Sequence, residues 1–320
     1  MPDKASRNHG FDALRVIAAA AVVLLHSTAA PDVPRHSSHL VILQTACRFA
    51  VPFFFIASGY FQRDVTRFDF KLILQPLKRL LPLYIFWTVA YDLIFLMQYD
   101  VATLTRYNFN AAYHLWFLPA LGAGLVLLQA GRAFFGLRLV TVLAIALALI
   151  GLASTSYADL LGLENHGGRR GWLFALSFLV MGAWLARTKY SPSLKIAVST
   201  IILGYGCSIA EEYFLASSSG HGEYVSHDFL FSTFPFGLGI AFFAIWLGKS
   251  ASRTIIKLSA FGSLSLGIYL SHLLWLWAFT PLVNPNSFAG IAALAVATFT
   301  ASAALAALLA RTPTLNRLAT

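Results

Sequence analysis

Residues 12–30 read DALRVIAAAAVVLLHSTAA, and this stretch decides the fold class of the chain. Every residue between Arg15 and His26 is Val, Ile, Ala or Leu. A helix that crosses a membrane needs about 20 mostly apolar residues, and this run supplies nearly that many. It is longer than the apolar core of a signal peptide, and other apolar stretches follow it. The stretch therefore predicts a membrane-spanning helix that stays in the protein.

The rest of the chain repeats this pattern. Hydrophobic residues make up 58% of the 320 residues and charged residues only 11%. In a soluble domain roughly 45–50% of the residues are apolar and about 25% are charged. Apolar stretches long enough to span lie near 12–30, 38–61, 79–98, 112–130, 136–153, 172–187, 194–211, 228–248, 260–280 and 288–311. The sequence predicts an all-α, polytopic transmembrane helix bundle with about ten spans.

The basic residues predict the orientation of these spans. If the N-terminus is cytoplasmic, 17 of the 23 Lys and Arg residues fall in inner segments: Lys4, Arg7, Arg63, Arg67, Lys71, Lys78, Arg79, Arg132, Arg138, Arg187, Lys189, Lys195, Lys249, Arg253, Lys257, Arg311 and Arg317. The outer segments hold Arg35, Arg106, Arg169 and Arg170. Because short cytoplasmic loops carry the excess of Lys and Arg, we expect both termini in the cytoplasm. The net charge of +10 then indicates topology and attraction to anionic lipid, not a nucleic-acid surface.

The acidic residues concentrate on the opposite side of the predicted membrane. Those in or beside outer loops are Asp32, Asp100, Asp159, Glu164, Glu211, Glu212, Glu223 and Asp228. One interpretation is a solvated rim, and the other is a surface that contacts substrate. The segments between spans are about 20 residues at most, too short to bury a core of their own. We therefore expect one membrane domain over residues 1–320, with no appended soluble domain.

Candidate functional residues are ionisable groups inside apolar spans, because burying them there is costly. Arg15 and His26 are eleven residues apart, which on a helix puts them within about 20° of one face and about 16 Å apart along the axis. We expect Arg15 at the inner leaflet and His26 beyond the midplane. The two interpretations are a functional pair, or a snorkelling anchor and a hydrogen-bonded packing residue.

Four further positions stand out in the second span and at the start of the third. Arg48 lies inside the second span, where it needs a carboxylate, a carbonyl or a substrate as partner. Ser58 precedes Gly59, a pair that allows close approach of another helix. Lys78 and Arg79 open the third span, either as cytoplasmic anchors or as binding groups for an anionic ligand such as a phosphate.

Two histidines belong to later spans. His114 and Trp116 open the fourth span, where an aromatic belt at the membrane surface is the common interpretation. His272 lies near the middle of the ninth span. No set of His, Cys, Asp and Glu has metal-ligand spacing, and the phosphate-loop, dinucleotide and hydrolase motifs are missing. We expect no metal. Cys47 and Cys207 both lie in spans, so no disulfide framework is indicated.

In combination these motifs resemble the acyltransferase type 3 family of integral membrane O-acyltransferases. The similarity is strongest to its short branch, which includes the enterobacterial common antigen O-acetyltransferase. The matching elements run from the first to the ninth span: Arg15 and His26, Arg48 to Phe55 with Ser58–Tyr60, Arg79 to Pro82, His114 to Leu118, and Ile268 to His272.

The resemblance implies an enzyme of the bacterial cytoplasmic (inner) membrane. It would move an acetyl group from cytosolic acetyl-CoA to a hydroxyl of a surface polysaccharide or its lipid-linked precursor. His26 would be the general base or the acyl carrier, with Arg15 as its catalytic partner. Arg15, Arg79 and Lys78 would bind the phosphates of the donor.

The resemblance leaves Arg48, Ser58, His114, Trp116 and His272 as substrate-binding or structural candidates. The implied partners are acetyl-CoA, a glycan or lipid-linked glycan, and the bilayer, with no nucleic acid. The alternative is a transporter or flippase for lipid-linked sugars or acyl groups, because intramembrane Arg and His also line transport pathways. The sequence has no matching pair of interrupted helices, which many secondary transporters carry.

Overall fold

A computed structural model describes residues 8–29, 38–62, 68–95, 114–163, 171–218, 227–249, 252–284, 287–313 and 315–318. Every regular element in these ranges is helical. The described ranges contain eleven α-helices: α1 (His9–Ser27), α2 (Ser38–Cys47), α3 (Ala50–Tyr60), α4 (Phe70–Phe95), α5 (Phe117–Ala153), α6 (Gly171–Thr188), α7 (Leu194–Ser218), α8 (Thr233–Lys249), α9 (Arg253–Ala260), α10 (Ser265–Phe279) and α11 (Phe288–Arg311). The all-α prediction is confirmed.

Within the part of the chain that the structure describes, seven helical stretches are long and apolar enough to cross a membrane. They are His9–Ser27, His39–Tyr60, Phe117–Ala153, Gly171–Thr188, Leu194–Ser218, Arg253–Leu282 and Phe288–Arg311. A further apolar helix, Thr233–Lys249, is shorter. The ten-span count and the cytoplasmic termini stay predictions. Part of the charge pattern lies outside the described residues, namely Lys4, Arg7, Arg35, Arg63, Arg67, Arg106, Arg169 and Arg170.

The chain divides into two compact units. The first comprises Met1–Phe54 and Lys189–Thr320, and the second comprises Phe55–Thr188. In the first unit, α1 packs against α8, α9, α10 and α11. The Asn8 side chain caps α1 by accepting hydrogen bonds from the backbone N–H groups of Gly10 (3.0 Å) and Phe11 (3.3 Å). Gly10 allows α8 to approach, because a Cβ there would lie 2.0 Å from the Ala244 carbonyl oxygen.

One stripe of α11 faces the interior of the first unit. Its buried residues recur every three or four positions, as a helix with one buried face requires: Ile291, Leu294, Thr298, Ser302 and Ala306. Ala306 packs with Ala19 and Val23 of α1 and with Ile268 of α10 in one buried cluster, which we call the α1–α10–α11 seam. The seam sets the relative height of these three helices.

In the second unit, α5 reverses direction at Gly136. The backbone there has φ 78° and ψ 163°, a conformation that is essentially restricted to glycine. A Cβ on Gly131 would lie 2.5 Å from a methyl group of Val140, although residues nine apart in a straight helix are about 13.5 Å apart. Phe117–Ala153 is therefore two helical segments, as the separate predicted stretches 112–130 and 136–153 require. Residues 112 and 113 lie outside the described part.

The contact between α3 and α6 is made by glycines. A Cβ on Gly59 would lie 2.0 Å from the Leu179 carbonyl oxygen, and one on Gly182 would lie 2.0 Å from the Ile56 carbonyl oxygen. The two backbones therefore touch, as they do at small-residue crossings in membrane proteins. The close helix approach predicted beside Ser58 is confirmed.

Candidate active site

The ring of His26 is oriented by its own helix. It lies in the last turn of α1, and its Nδ1 is 2.9 Å from the Val22 carbonyl oxygen. A carbonyl can only accept, so Nδ1 carries the hydrogen and donates it. In the neutral ring the lone pair therefore lies on Nε2. This is the nitrogen that can take a proton or attack an electrophile.

His272 of α10 is fully buried and lies against His26. The two ring centroids are 4.8 Å apart, with an edge-on angle of 66° between the planes. His272 also donates from Nδ1 to a main-chain carbonyl, that of Tyr269, at 2.6 Å. The structure thus brings together two predicted candidates from opposite ends of the chain. Both have the same tautomer in the neutral state.

Hydrogen bonds hold the end of α1 that carries His26. The Ser27 hydroxyl donates to the Val23 carbonyl at 2.9 Å, and the Thr28 hydroxyl donates to the Leu25 carbonyl at 2.6 Å. Gln44 of α2 donates from Nε2 to the Thr28 hydroxyl at 3.2 Å. The C-terminal end of α1 is consequently fixed to α2, and His26 does not lie on a fraying turn.

Arg15 lies on the same uninterrupted helix, three turns before His26. Its Nη1 donates to Oδ1 of Asp12 at 3.1 Å, and 29% of the side chain is exposed. Asp12 is itself largely enclosed, with 14% of its side chain exposed. A carboxylate in the first turn of α1 therefore orients the guanidinium, and the helix keeps it about 16 Å from His26 along the axis.

Arg48 has a carboxylate partner. It lies at a break between α2 and α3, where Pro52 cannot donate to the carbonyl four residues earlier and its ring would clash with it. Its Nη1 is 2.5 Å from Oδ1 of Asp228, with 13% of the arginine side chain and 59% of the aspartate side chain exposed. This contact favours the structural interpretation of Arg48.

Two glutamates near the C-terminal end of α7 bind the segment that leads into α8 by hydrogen bonds. Glu212 is 1% exposed and accepts from the backbone N–H (2.8 Å) and the Nδ1 (2.6 Å) of His227. Glu211 accepts from the backbone N–H groups of Phe231 (2.9 Å) and Ser232 (3.0 Å). The interpretation of the acidic residues as a solvated rim is therefore wrong for Glu212. Its position beside a loop concealed its burial.

The remaining candidates belong to the second unit. Lys78 and Arg79 are exposed on α4, while Ser58 lies on α3 beside the glycine crossing. His114 is 2% exposed and meets the Tyr91 ring edge-on, with centroids 5.4 Å apart. This burial does not fit an aromatic belt for His114. Trp116 covers Gly171, where a Cβ would lie 2.0 Å from the indole ring.

The described residues contain no cluster of three or more His, Cys, Asp or Glu that suits a metal ion. The first unit also contains three residues with buried polar atoms that the sequence pattern does not single out as functional candidates, namely Trp275 on α10 and Thr298 and Ser302 on α11. Serine and threonine are common in membrane helices, where they bond to their own backbone, so their sequence alone carries no functional signal.

Comparison with known proteins identifies the family. The family model described as an acyltransferase domain matches residues 8–309. A serine/alanine racemase of Enterococcus gallinarum is 30% identical over 303 residues, covering 83% of this chain and 40% of the relative. An amino-acid racemase of Enterococcus faecalis is 26% identical over 164 residues, covering 47% of this chain and 23% of the relative.

The chain thus spans two fifths or less of the length of these relatives. No solved structure matches the chain. The match to the acyltransferase model covers nearly the whole sequence, including α1 to α10 with both histidines of the candidate site. The protein therefore belongs to the acyltransferase type 3 family of membrane proteins.

Proposed function

We propose that the chain transfers an acetyl group from cytosolic acetyl-CoA to a hydroxyl of a surface polysaccharide or its lipid-linked precursor. The family supplies the reaction class, and the resemblance of the motifs to O-acetyltransferases supplies the donor and the acceptor. The observation that supports the proposal best is the contact of His26 with His272. A pair of oriented imidazoles inside an apolar bundle is suited to moving a proton or an acyl group.

In the first route His26 is a general base. Its Nε2 accepts the proton of the acceptor hydroxyl while the hydroxyl oxygen attacks the thioester carbonyl carbon. The carbon–sulfur bond breaks, and the departing thiolate takes the proton from the imidazolium. The products are the acetyl ester and CoA with a free thiol, and His26 returns to its starting state.

In the second route His26 carries the acyl group. Its Nε2 attacks the thioester carbonyl, and CoA leaves as the thiolate. The acceptor oxygen then attacks the acyl-imidazole, the carbon–nitrogen bond breaks, and the proton of the hydroxyl passes through solvent to the thiolate. Label from acetyl-CoA that stays on the protein without an acceptor would favour this route over the first.

The donor phosphates require cations, and Arg15 of the first unit, 29% exposed at the inner part of α1, suits them. For Lys78 and Arg79, exposed on α4 of the second unit, the same role stays a prediction from the sequence. Phosphate oxygens accept strong, charge-assisted hydrogen bonds from such groups. Arg48 is paired with Asp228, so we assign it a structural role and do not include it among the donor-binding residues.

The competing proposal is a transporter. The names of the two relatives describe racemases, and each name belongs to a protein more than twice as long as the matched part. Neither name describes acyl transfer or transport. These names do not decide between an enzyme and a transporter. The observation that decides is whether the thioester bond of the donor is broken.

The experiment uses the purified chain in detergent with radiolabelled acetyl-CoA and a glycolipid extract as acceptor. We expect release of the CoA thiol and labelled product, both proportional to the protein concentration. Detergent micelles do not separate two aqueous compartments, so a transporter would leave acetyl-CoA unchanged in them. Intact thioester in detergent, together with uptake of labelled substrate into sealed vesicles, would contradict the proposal.

A further inference from the structure

Two buried hydroxyls on α11 have no hydrogen-bond partner among the residues that the structure describes. Thr298 and Ser302 are both 0% exposed, and neither Oγ1 of Thr298 nor Oγ of Ser302 is bonded. Buried polar groups are nearly always hydrogen-bonded, because an unpaired one has lost water without compensation. Two unpaired hydroxyls on one helix face therefore indicate a hydrogen-bonding partner from outside the described residues.

Other buried serines of the same unit show the usual arrangement. Ser27, Ser208 and Ser271 each donate to the carbonyl four residues earlier in their own helix, at 2.9, 2.8 and 2.8 Å. This back-bonding satisfies a hydroxyl in an apolar helix without any second element. Thr298 and Ser302 do not make these bonds, so the two hydroxyls remain able to bind another molecule.

The seam places Ser302 at the height of the histidine pair and Thr298 about one helical turn beyond it. Val23, Ile268 and Ala306 share one cluster; about one turn further outward, α1 reaches His26 and α10 reaches His272. The short connection from α10 to α11 makes α11 antiparallel to α10, and the two helices pack together. The same step outward from Ala306, about 6 Å for four residues, reaches Ser302, and the next step reaches Thr298.

A third donor lies on the facing helix. Trp275 is three residues after His272 on α10, and the indole N–H of Trp275 is buried and has no partner within the described residues. An indole N–H can only donate, whereas a hydroxyl can donate and accept. The hydroxyls and the indole thus offer both kinds of hydrogen bond to one ligand. The α11 stripe that carries the hydroxyls has no charged residue.

We propose that Thr298, Ser302 and Trp275 bind the amide-bearing arm of the acyl donor, a deepening that rests on the proposed function. The uncharged stripe does not suit phosphates, and its neighbours Leu294 and Ala306 suit a slim, mostly apolar chain. A pantetheine arm carries two amides separated by two methylene groups, and each amide offers one donor and one acceptor. Hydroxyls one helical turn apart, about 6 Å, match that spacing.

The test measures equilibrium binding of CoA to the full chain in detergent. Thr298→Val and Ser302→Ala remove one hydroxyl each with little change in volume. Losing one hydrogen bond is expected to raise the Kd for CoA about threefold to tenfold in each variant, and further in the double variant. Thr298→Ser keeps the hydroxyl and is expected to keep the affinity. Ser208→Ala is the matched control, because that hydroxyl is satisfied within α7.

A second ligand separates the arm from the nucleotide. Adenosine 3′,5′-bisphosphate shares the nucleotide end of CoA and lacks the arm, so its Kd should be the same in all variants. An unchanged Kd for CoA in the double variant, or an equal loss of affinity for both ligands, would overturn the arm-binding site and leave the proposed function standing. Wild-type protein that binds neither CoA nor acetyl-CoA would overturn the proposed donor and the site with it. A melting temperature no lower than that of the wild type shows that the double variant is folded.

Discussion

At the scale of single residues, main-chain carbonyls decide how the two central imidazoles are used. Val22 and Tyr269 each accept from Nδ1, at 2.9 and 2.6 Å, so Nε2 is the reactive nitrogen in both neutral rings. A carbonyl fixed within a helix cannot rotate away as a side chain can. The arrangement therefore keeps one tautomer and one ring orientation ready for reaction, which reduces the reorganisation needed during catalysis.

Arg48 offers a prediction at this scale, because the structural and the substrate-binding interpretations differ in outcome. Arg48→Gln and Asp228→Asn both remove the same ion pair, which is partly exposed. Each should cost about 0.2–1 kcal/mol of stability, seen as a slightly lower melting temperature, and each should keep acetyl transfer. The double variant should be no less stable than the worse single one. Loss of turnover in Arg48→Gln alone would contradict the structural role.

Functional residues can be predicted from the sequence more reliably than the contacts between them. His26 and His272 are each recognisable as candidates because an ionisable group is costly to bury in an apolar stretch. Their contact is not predictable, because α1 and α10 lie at opposite ends of the chain and periodicity within one helix carries no information about its neighbour. Glu212 is misinterpreted for a related reason. Its burial depends on His227, which hydropathy does not reveal.

At the scale of elements, glycines determine how closely helices pack. Gly182→Ala would place a Cβ 2.0 Å from the Ile56 carbonyl oxygen and 2.6 Å from the Tyr60 nitrogen. Both atoms belong to the backbone, so α3 and α6 must separate. We expect a loss of about 1–3 kcal/mol, measured as a lower melting temperature in detergent.

Gly206→Ala on α7 is the control for this substitution. Nothing lies within 4 Å of the Cβ that it would add, and alanine favours a helix over glycine by roughly 1 kcal/mol. The control should therefore melt at the same temperature as the wild type or slightly higher. Equal melting temperatures for the two variants would contradict the close crossing of α3 and α6.

The boundaries of the elements follow the sequence where a strong local signal exists. Gly136 separates the two apolar stretches within α5, and its positive φ explains why the chain can turn there. The break between α2 and α3 is missed by an apolar count over 38–61, because Cys47, Phe49 and Val51 are as apolar as their neighbours. Pro52 is the only local signal for it, since proline disturbs the preceding turn.

At the scale of the whole molecule, the candidates divide between two units. The first unit holds Arg15, His26, Arg48 and His272, and the second holds Ser58, Lys78, Arg79, His114 and Trp116. The proposed chemistry belongs to the first unit, where the histidines meet and Ser302 of α11 is inferred to lie at their height. Composition predicts the membrane bundle, but it cannot predict this division, which depends on contacts between helices distant in sequence.

The measurement that tests the central claim most directly compares acetyl transfer by the wild type, His26→Ala and His39→Gln. His39 is an exposed histidine on α2 and serves as the matched control. With equal membrane insertion and melting temperature, His26→Ala should lose about 10²- to 10⁴-fold in turnover, the usual contribution of a general acid–base group, and His39→Gln should lose none. Full acetyl transfer by correctly inserted His26→Ala would contradict the account.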